Sequence, residues 1–551
     1  MITSKNKQFW LFSLIAISIY AITWLALAWP YRPFPSDDIF SFHTGQGAHQ
    51  PLFIFSLAVF KFFLSAFSKD EFSYLLLHGI VSNSLSLFLL SAIVFRLTQN
   101  MALVVLSILL YGTSAWPANY YFMASYTPLA TLLSLLICLL IIEAYLRYSN
   151  SITTRHDNLE KDTPVNSFLT KRYEPFFILA TIVSILYFLS STSALLMIGF
   201  QILMIGYLFY QTSFISALFI SALKNVKAVL ALFFLFVIVY LVIFDNHALS
   251  ILSHWYHNIY TSHYTDALAK FGYVPKSPFF SLFHIAYTYN PILPILFVLV
   301  SGISLFFLAF KYYKKKLFSA FERVLMSLIV VIYAHSITID ILPFTKLART
   351  HFVVYPLIII VFVVSFYYLI SQLEDHLKRI KPYLIVFGLG ACAFIITLNL
   401  AFSKEMIYVR KYTADYLTSL PADTEFYMLS GDNHADYIKY WLGLSIKKID
   451  KISQITDTKN SRLIAIIIGP HGKDSGRSIL KHSTFDDFIL TEVVKPKGVK
   501  EVKLPYYAYF PSFLFEEEIS QALFFAGETP DYKADNMQIT VWLMGEKNSE
   551  Q

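Results

Sequence analysis

Residues 30–53 read PYRPFPSDDIFSFHTGQGAHQPLF and follow at once on an apolar run over 9–29. They end by opening a second apolar run, PLFIFSLAVFKFFLSAF at 51–67, which is barely long enough to cross a bilayer and has Lys61 inside it. Whether that second run crosses decides the sidedness of everything after it. If it does not, Lys5, Lys7, Arg96, the loop 147–175 (Arg147, Arg155, Lys161, Lys171, Arg172), Lys224, Lys227, KYYKKK at 311–316 and HLKRIK at 376–381 all share one side. Basic loops mark the cytoplasm. If the run crosses, every cluster after Lys7 moves outside. The run therefore reads as a juxtamembrane helix at the outer interface, with Lys61 snorkelling to water.

The composition places the chain in lipid. Of 551 residues 56% are hydrophobic, 17% aromatic and only 14% charged, and the mean hydropathy is +0.56. Runs of spanning length fall near 9–29, 71–95, 101–116, 125–146, 176–192, 194–211, 228–244, 291–310, 323–341, 351–371 and 383–401. The expected fold is mainly α: a polytopic membrane protein of about eleven transmembrane helices plus juxtamembrane helices. A net charge of +7 suggests nucleic acid, but the basic residues sit in short clusters between apolar segments, where they set topology, so no nucleic-acid partner is expected. Cys138 and Cys392 lie inside apolar runs, with neither metal-ligand spacing nor a disulfide partner in view. Ala26-Leu27-Ala28 imitates a cleavage site. The apolar run before it exceeds the ~7–15 residues of a signal-peptide core, so an uncleaved first helix with a cytoplasmic N-terminus is expected.

With that topology, the Asp37-Asp38 loop, the loop 245–290, the loop ILPFTKLART at 341–350 and everything after residue 402 share the outer face. The loop 245–290 is long enough to act as a lid, and it holds His247, His254, His257, His263 and His284 among many aromatics. Only His254 and His257 have local ligand-like spacing, and interfacial packing accounts for the set better than zinc. Strand-like TEFYMLS, RLIAIIIG, FILTEVV and MQITVWLMG alternate with helical stretches beyond 402. The chain divides into a membrane domain at 1–402 and an outer-face α/β domain at 403–551. GPHGKDSG after RLIAIII fails the phosphate-loop spacing, since position 467 is Ile and Asp474 follows Lys473; a strand-to-helix turn is expected there.

Two adjacent carboxylates at the mouth of a membrane helix have a plain use, because Asp37 or Asp38 can cap the stretch beginning at Ile39. They also suit acid–base chemistry. The order of parts resembles the GT-C glycosyltransferases, in particular the branch that contains the protein O-mannosyltransferases and the aminoarabinose transferase of lipid A. In that branch an acidic pair follows the first membrane helix, and a [HK]-P-P-L-[YF]-like segment opens a juxtamembrane helix. Here Asp37-Asp38 stands as the pair and His49-Gln50-Pro51-Leu52-Phe53 as the second motif, with Gln50 in place of the first proline. Leu347-Ala348-Arg349-Thr350-His351-Phe352-Val353-Val354-Tyr355-Pro356 is similar to the branch's late basic and aromatic segment, and VRKYTADYLTSLPADTEFYMLSGDNHADYIKYWLG is similar to the soluble-domain opening of several bacterial members. A further acidic residue that many relatives carry in the second outer loop is absent from Met123-Ala124-Ser125-Tyr126-Thr127-Pro128.

The resemblance implies transfer of a sugar from a polyprenyl-phosphate donor to a glycan, lipid or protein acceptor on the outer face of a bacterial plasma (inner) membrane. Such transfer requires a base for the acceptor hydroxyl, a cation for the leaving phosphate and a groove for the lipid. Asp37 is the favoured base, with Asp38 orienting acceptor or sugar, though their order can be reversed. A free carboxyl near pKa 3.9 is a weak base, and a like charge beside it raises one of the two values. Arg349 is the candidate phosphate ligand, because a guanidinium matches phosphate oxygens bidentately and stays charged. Lys346 and His351 flank it, and His49 is a candidate contact to phosphate or acceptor. Arg349 as an interfacial anchor and His49 as a structural hydrogen-bonding partner are the bland alternatives. Asp340 either pairs with Lys346 or Arg349 or reaches the interface. A divalent metal is compatible with the site, and none is required by the sequence.

Rival readings are a lipid-linked-sugar transporter, a membrane acyltransferase and a scaffold with a membrane anchor. The chain shows no internal repeat and few mid-membrane charges, which speaks against transport. His78 and His335 lie inside apolar stretches, where an acyltransferase needs its histidine and where a hydrogen-bonded core histidine is also common.

Overall fold

In the computed structural model the described residues are 4–28, 34–35, 51–65, 73–114, 123–124, 126–156, 165–190, 194–209, 230, 234, 292–314, 316–341, 353–372, 381–429, 438–439, 442–449, 455, 463–468, 500–505 and 538–544. Their helices are α1 (Ser4–Ala28), α2 (Pro51–Leu64), α3 (Ser73–Thr98), α4 (Met101–Gly112), α5 (Thr127–His156), α6 (Val165–Ser190), α7 (Ala194–Phe209), α8 (Leu293–Tyr313), α9 (Ala320–Ile341), α10 (Val354–Gln372) and α11 (Lys381–Ser419). Two short strands, β1 (Phe34–Pro35) and β2 (Met123–Ala124), lie between helices; β3 (Glu425–Leu429), β4 (Ile446–Ile449), β5 (Ile464–Ile468), β6 (Lys500–Pro505) and β7 (Gln538–Met544) form a sheet after α11.

Seven of these helices are long and apolar enough to cross a bilayer: α1, α3, α5, α8, α9, α10 and the first part of α11. Shorter apolar helices occupy Leu52–Leu64, Met101–Gly112, Ile178–Tyr187 and Leu196–Phe209. Of the run at 228–244 only residues 230 and 234 are among the described residues. At ~1.5 Å per residue the 14 residues of α2 rise about 21 Å, short of the hydrocarbon core, as its reading as a juxtamembrane helix requires.

Side-chain contacts fix the helix directions. Phe9 stacks on Phe95 at 4.3 Å while Trp24 packs with Leu76 and Ile80, so α1 runs antiparallel to α3. A two-residue turn reverses the chain after α3. Gln99 takes φ 51 and returns its N–H to the Phe95 carbonyl, and Asn100 then caps α4, its Oδ1 accepting from the Ala102 N–H at 2.9 Å. Helix α5 runs parallel to α3, since Tyr126 and Leu129 join the Tyr74–Leu75 cluster at one end while Glu143 meets Arg96 at the other. Ser301–Tyr333 and Lys311–Glu322 set α8 against α9, and Phe321 against Tyr367 and Tyr368 sets α9 against α10, both antiparallel.

The carboxylates inside this apolar bundle, Glu143 and Glu322, are tied to partners, as a water-poor interior demands. The start of α9 is a capping box: the Glu322 carboxylate accepts from Ser319 N at 2.8 Å and Oγ at 2.9 Å, while Ser319 Oγ accepts from Glu322 N at 3.2 Å. Lys311 of α8 reaches the same oxygen at 2.5 Å, and the Tyr368 hydroxyl of α10 lies 3.5 Å from the other. Glu143 of α5 is bonded by both Arg96 and Arg147, and Arg147 also lies over the Phe176 ring of α6.

The sheet has the order β4-β3-β5-β7-β6, with β4, β3 and β5 parallel and β7 antiparallel to both β5 and β6. Central β5 reads IAIII and buries both faces. Ala465 and Ile467 pack with Ala414 and Leu417 from the end of α11, and Ile464 and Ile466 pack with Trp542 on the opposite face. Helix α11 is continuous across residue 402 and so belongs to both the bundle and the sheet's core.

Replacing Glu322 by Ala removes a cap acceptor and leaves Lys311 without its carboxylate, and should lower stability by about 2–4 kcal/mol. Glu322→Gln keeps an acceptor for the cap and should cost less. Thermal unfolding of the detergent-solubilised protein measures both, and equal midpoints for all three chains would refute the clasp.

Candidate functional site

Asp37, Asp38, His49, Lys346, Arg349 and His351 lie outside the described residues, as do the loop 245–290 with its histidines, GPHGKDSG and FILTEVV. The side chain of Asp340 is likewise outside them. What the structure describes is the frame from which the candidate segments depart, and that frame has one notable property: its departure points share one end of the bundle.

The end of α1 sits against the start of α3 through Trp24, Leu76 and Ile80. Helix α2, which begins two residues after His49, packs on the start of α3 through Phe53, Ile54 and Leu57, together with Tyr126 and Leu129 at the start of α5. Helix α4 returns to the same end, where a Cβ at Gly112 would meet the Tyr20 ring of α1 at 3.2 Å. Tyr355, at the start of α10, lies against Ser114 just past α4. Helix α9 is antiparallel to α10 and finishes at that end too. The chain flanking Asp37-Asp38, His49 and Lys346–His351 therefore converges.

Backbone pairing adds a direct link that the sequence reading missed. Strand β1 ends at Pro35, two residues before Asp37, and pairs in parallel with β2, Phe34 opposite Met123 and Pro35 opposite Ala124. The acidic loop is thereby stitched to the segment that leads into α5. A two-residue strand leaves no periodicity to find, and the Pro in FP points away from a ladder.

Two buried side chains brace this end. Asn399 of α11 donates from Nδ2 to the Leu110 carbonyl at 3.1 Å and lies 3.4 Å from Thr113 Oγ1, holding the end of α4. His78 of α3 contacts Ser56 of α2 at 2.8 Å. His335 is equally buried but lies along α9 against Phe200 of α7. Among the described residues no group of three or more His, Cys, Asp and Glu is placed to hold a metal ion.

Neighbouring strands place paired Cα atoms about 5 Å apart, inside the range of a disulfide. A Phe34→Cys/Met123→Cys pair should therefore crosslink under mild oxidation, and a Pro35→Cys/Met123→Cys pair, one residue out of register, should not. Gel mobility with and without reductant reads the result, and the two native cysteines are buried. Equal crosslinking by both pairs would reject the register.

No protein-family model and no curated protein sequence matches the chain. Two solved structures of the Archaeoglobus fulgidus oligosaccharyltransferase are similar to it in fold. The apo form has a TM-score of 0.50 at 10% identity, covering 85% of this chain and 71% of that one. The form tethered with an acceptor peptide containing the NVT sequon via a disulfide bond has a TM-score of 0.51 at 10% identity, covering 87% and 71%. At such identity the likeness is one of fold alone.

Proposed function

We propose that the chain is a membrane glycosyltransferase that moves a sugar from a polyprenyl-phosphate carrier to an acceptor at the extracytoplasmic face. The observation that carries this reading is the oligosaccharyltransferase-like fold over most of the chain. It is supported by the convergence, at one end of the bundle, of the segments flanking Asp37-Asp38 and Lys346–His351. Fold alone does not carry chemistry, which belongs to the site. In the proposed site Asp37 takes the proton of the acceptor hydroxyl as the glycosidic bond forms, and Asp38 orients the acceptor. Arg349, with Lys346 and His351, neutralises the phosphate that leaves with the carrier, and His49 contacts phosphate or acceptor. The carbon–oxygen bond to the carrier breaks, and the leaving group departs as the polyprenyl phosphate.

Sidedness follows from charge. Arg96, Arg147 and Lys311 cluster with their carboxylates at the end opposite the converging loops, which supports a cytoplasmic location for that end. Residues 1–402 then form the membrane domain and 403–551 the extracytoplasmic one, in the plasma membrane of a bacterial cell. A second reading differs in its acceptor. The peptide tethered in the archaeal relative favours a protein segment over a lipid or cell-wall glycan.

The test supplies purified wild-type, Asp37→Asn, Asp38→Asn and Arg349→Ala protein with a panel of radiolabelled polyprenyl-phosphate sugars and a membrane extract, and follows label leaving the lipid. Loss of the base should cost about 10²–10⁴-fold in rate and loss of the arginine about 10²–10³-fold. Wild-type turnover by Asp37→Asn and Arg349→Ala would overturn the site assignment. Label that leaves none of the donors, with lipid crossing vesicle bilayers instead, would replace transfer by transport.

A further inference from the structure

The face of α2 that meets α3 is built around one histidine. Phe53, Ser56 and Phe60 fall at i, i+3 and i+7, a single helical stripe. His78, only 2% exposed, lies in that stripe. Its ring has the Phe53 ring at 5.4 Å and the Phe60 ring at 5.2 Å, both edge-on, and its Nε2 is 2.8 Å from Ser56 Oγ. The serine also lies 2.7 Å from the Phe53 carbonyl oxygen, an atom that can only accept. The hydroxyl has one proton, and that carbonyl takes it. His78 Nε2 is therefore the donor to Ser56, which argues against a histidine base activating Ser56 as an acyl-transfer nucleophile.

Helix α2 is otherwise held by apolar packing and by Lys61, whose ammonium lies 5.8 Å from the centre of the Tyr74 ring of α3. At 14 residues it is too short to be fixed by the two membrane surfaces, and Phe62 and Phe63 near its C-terminal end are exposed. Apolar contacts with Leu57, Tyr74 and Leu75 hold it in place but tolerate sliding and rotation. A directional hydrogen bond between two aromatic rings does not.

We infer that His78 is a positioning residue: through Ser56 it fixes the depth and rotation of α2, and thereby anchors the far end of the loop that begins at β1 and carries the acidic pair. The anchor is a property of the fold, and its catalytic consequence rests on the proposed transfer activity. A displacement of about 1 Å in a reacting group can cost on the order of 10²-fold in rate, so one buried bond at the loop's base is enough to matter.

Two measurements test it on the full chain. Spin labels at Phe62 and Leu85, both exposed, report the α2–α3 distance without reference to activity. His78→Leu should broaden or shift that distance and lower kcat about 10²-fold with little change in donor KM. His78→Gln keeps an N–H donor and should restore both in large part, and Ser56→Ala should resemble His78→Leu. A role in stability alone would lower the amount of folded protein and leave the kcat of the surviving fraction unchanged, which overturns the proposal. So does an unchanged distance with a lost kcat, which would make His78 act directly at the substrate. Should wild type turn over no donor, the transfer reading is what fails, and the distance in His78→Leu still decides whether the histidine anchors α2.

Discussion

Fourteen residues of α-helix do not cross a bilayer, and the organisation of the chain depends on that shortfall in α2. Because α2 stays at the end where α1 finishes, α3 begins there as well, and the parity of every later crossing is set. The consequences are physical. Helices α1, α4 and α9 finish at one end, Arg96, Arg147 and Lys311 gather at the other, and α11 passes the end of α4 on its way to the sheet. A spanning α2 would scatter the same residues across two faces, and no site could draw on both Asp37-Asp38 and Arg349.

The bundle cannot hold this arrangement by the hydrophobic effect alone, since a lipid tail is as good a neighbour as a leucine. Specificity comes from a few polar ties at defined levels. At one end Glu143 draws Arg96 from α3 and Arg147 from its own helix, and Glu322 draws Lys311 from α8 and the Tyr368 hydroxyl from α10. At the other, His78 and Asn399 bind α2 and the end of α4. Breaking a tie exposes a polar group to hydrocarbon, so each fixes depth as well as neighbour. Gly388 acts by the opposite means: a Cβ there would meet the Phe366 ring at 2.2 Å, so its absence sets how closely α11 approaches α10.

What the sequence disclosed follows the strength of each signal. Long apolar runs announce α1, α3, α5, α8, α9 and α10 without ambiguity, because lipid tolerates little else. In the sheet, the buried strands β3, β5 and β7 were legible as TEFYMLS, RLIAIIIG and MQITVWLMG. The strands missed were β4 and β6, IKKI and KEVKLP, and they are the two edges. Edge strands bury one side at most and carry lysines that discourage further pairing, so their sequences resemble loops. The acidic pair and the arginine are proposals read from the sequence, and the scaffold that brings their flanks together was not legible there. Ser56, Asn399 and the β1–β2 pairing act through partners remote in sequence; Asn399 lies 289 residues from Leu110. A lone serine or asparagine in an apolar helix gives no hint of which neighbour it will meet.

Helix α11 has the last say in how the two parts work together. Its 39 residues rise about 58 Å, enough to cross the hydrocarbon and continue for several turns beyond it. Asn399 fixes it to the end of α4, and Ala414 and Leu417, some four to five turns further on, lie in the core beneath the sheet. The sheet is thus joined to the bundle by a continuous helix, and tilting one against the other means bending that helix or breaking the Asn399 bond. Flexible linkers let domains wander; a shared helix transmits orientation. The sheet is thereby held at a fixed distance beyond the end of the bundle at which α1, α4 and α9 finish.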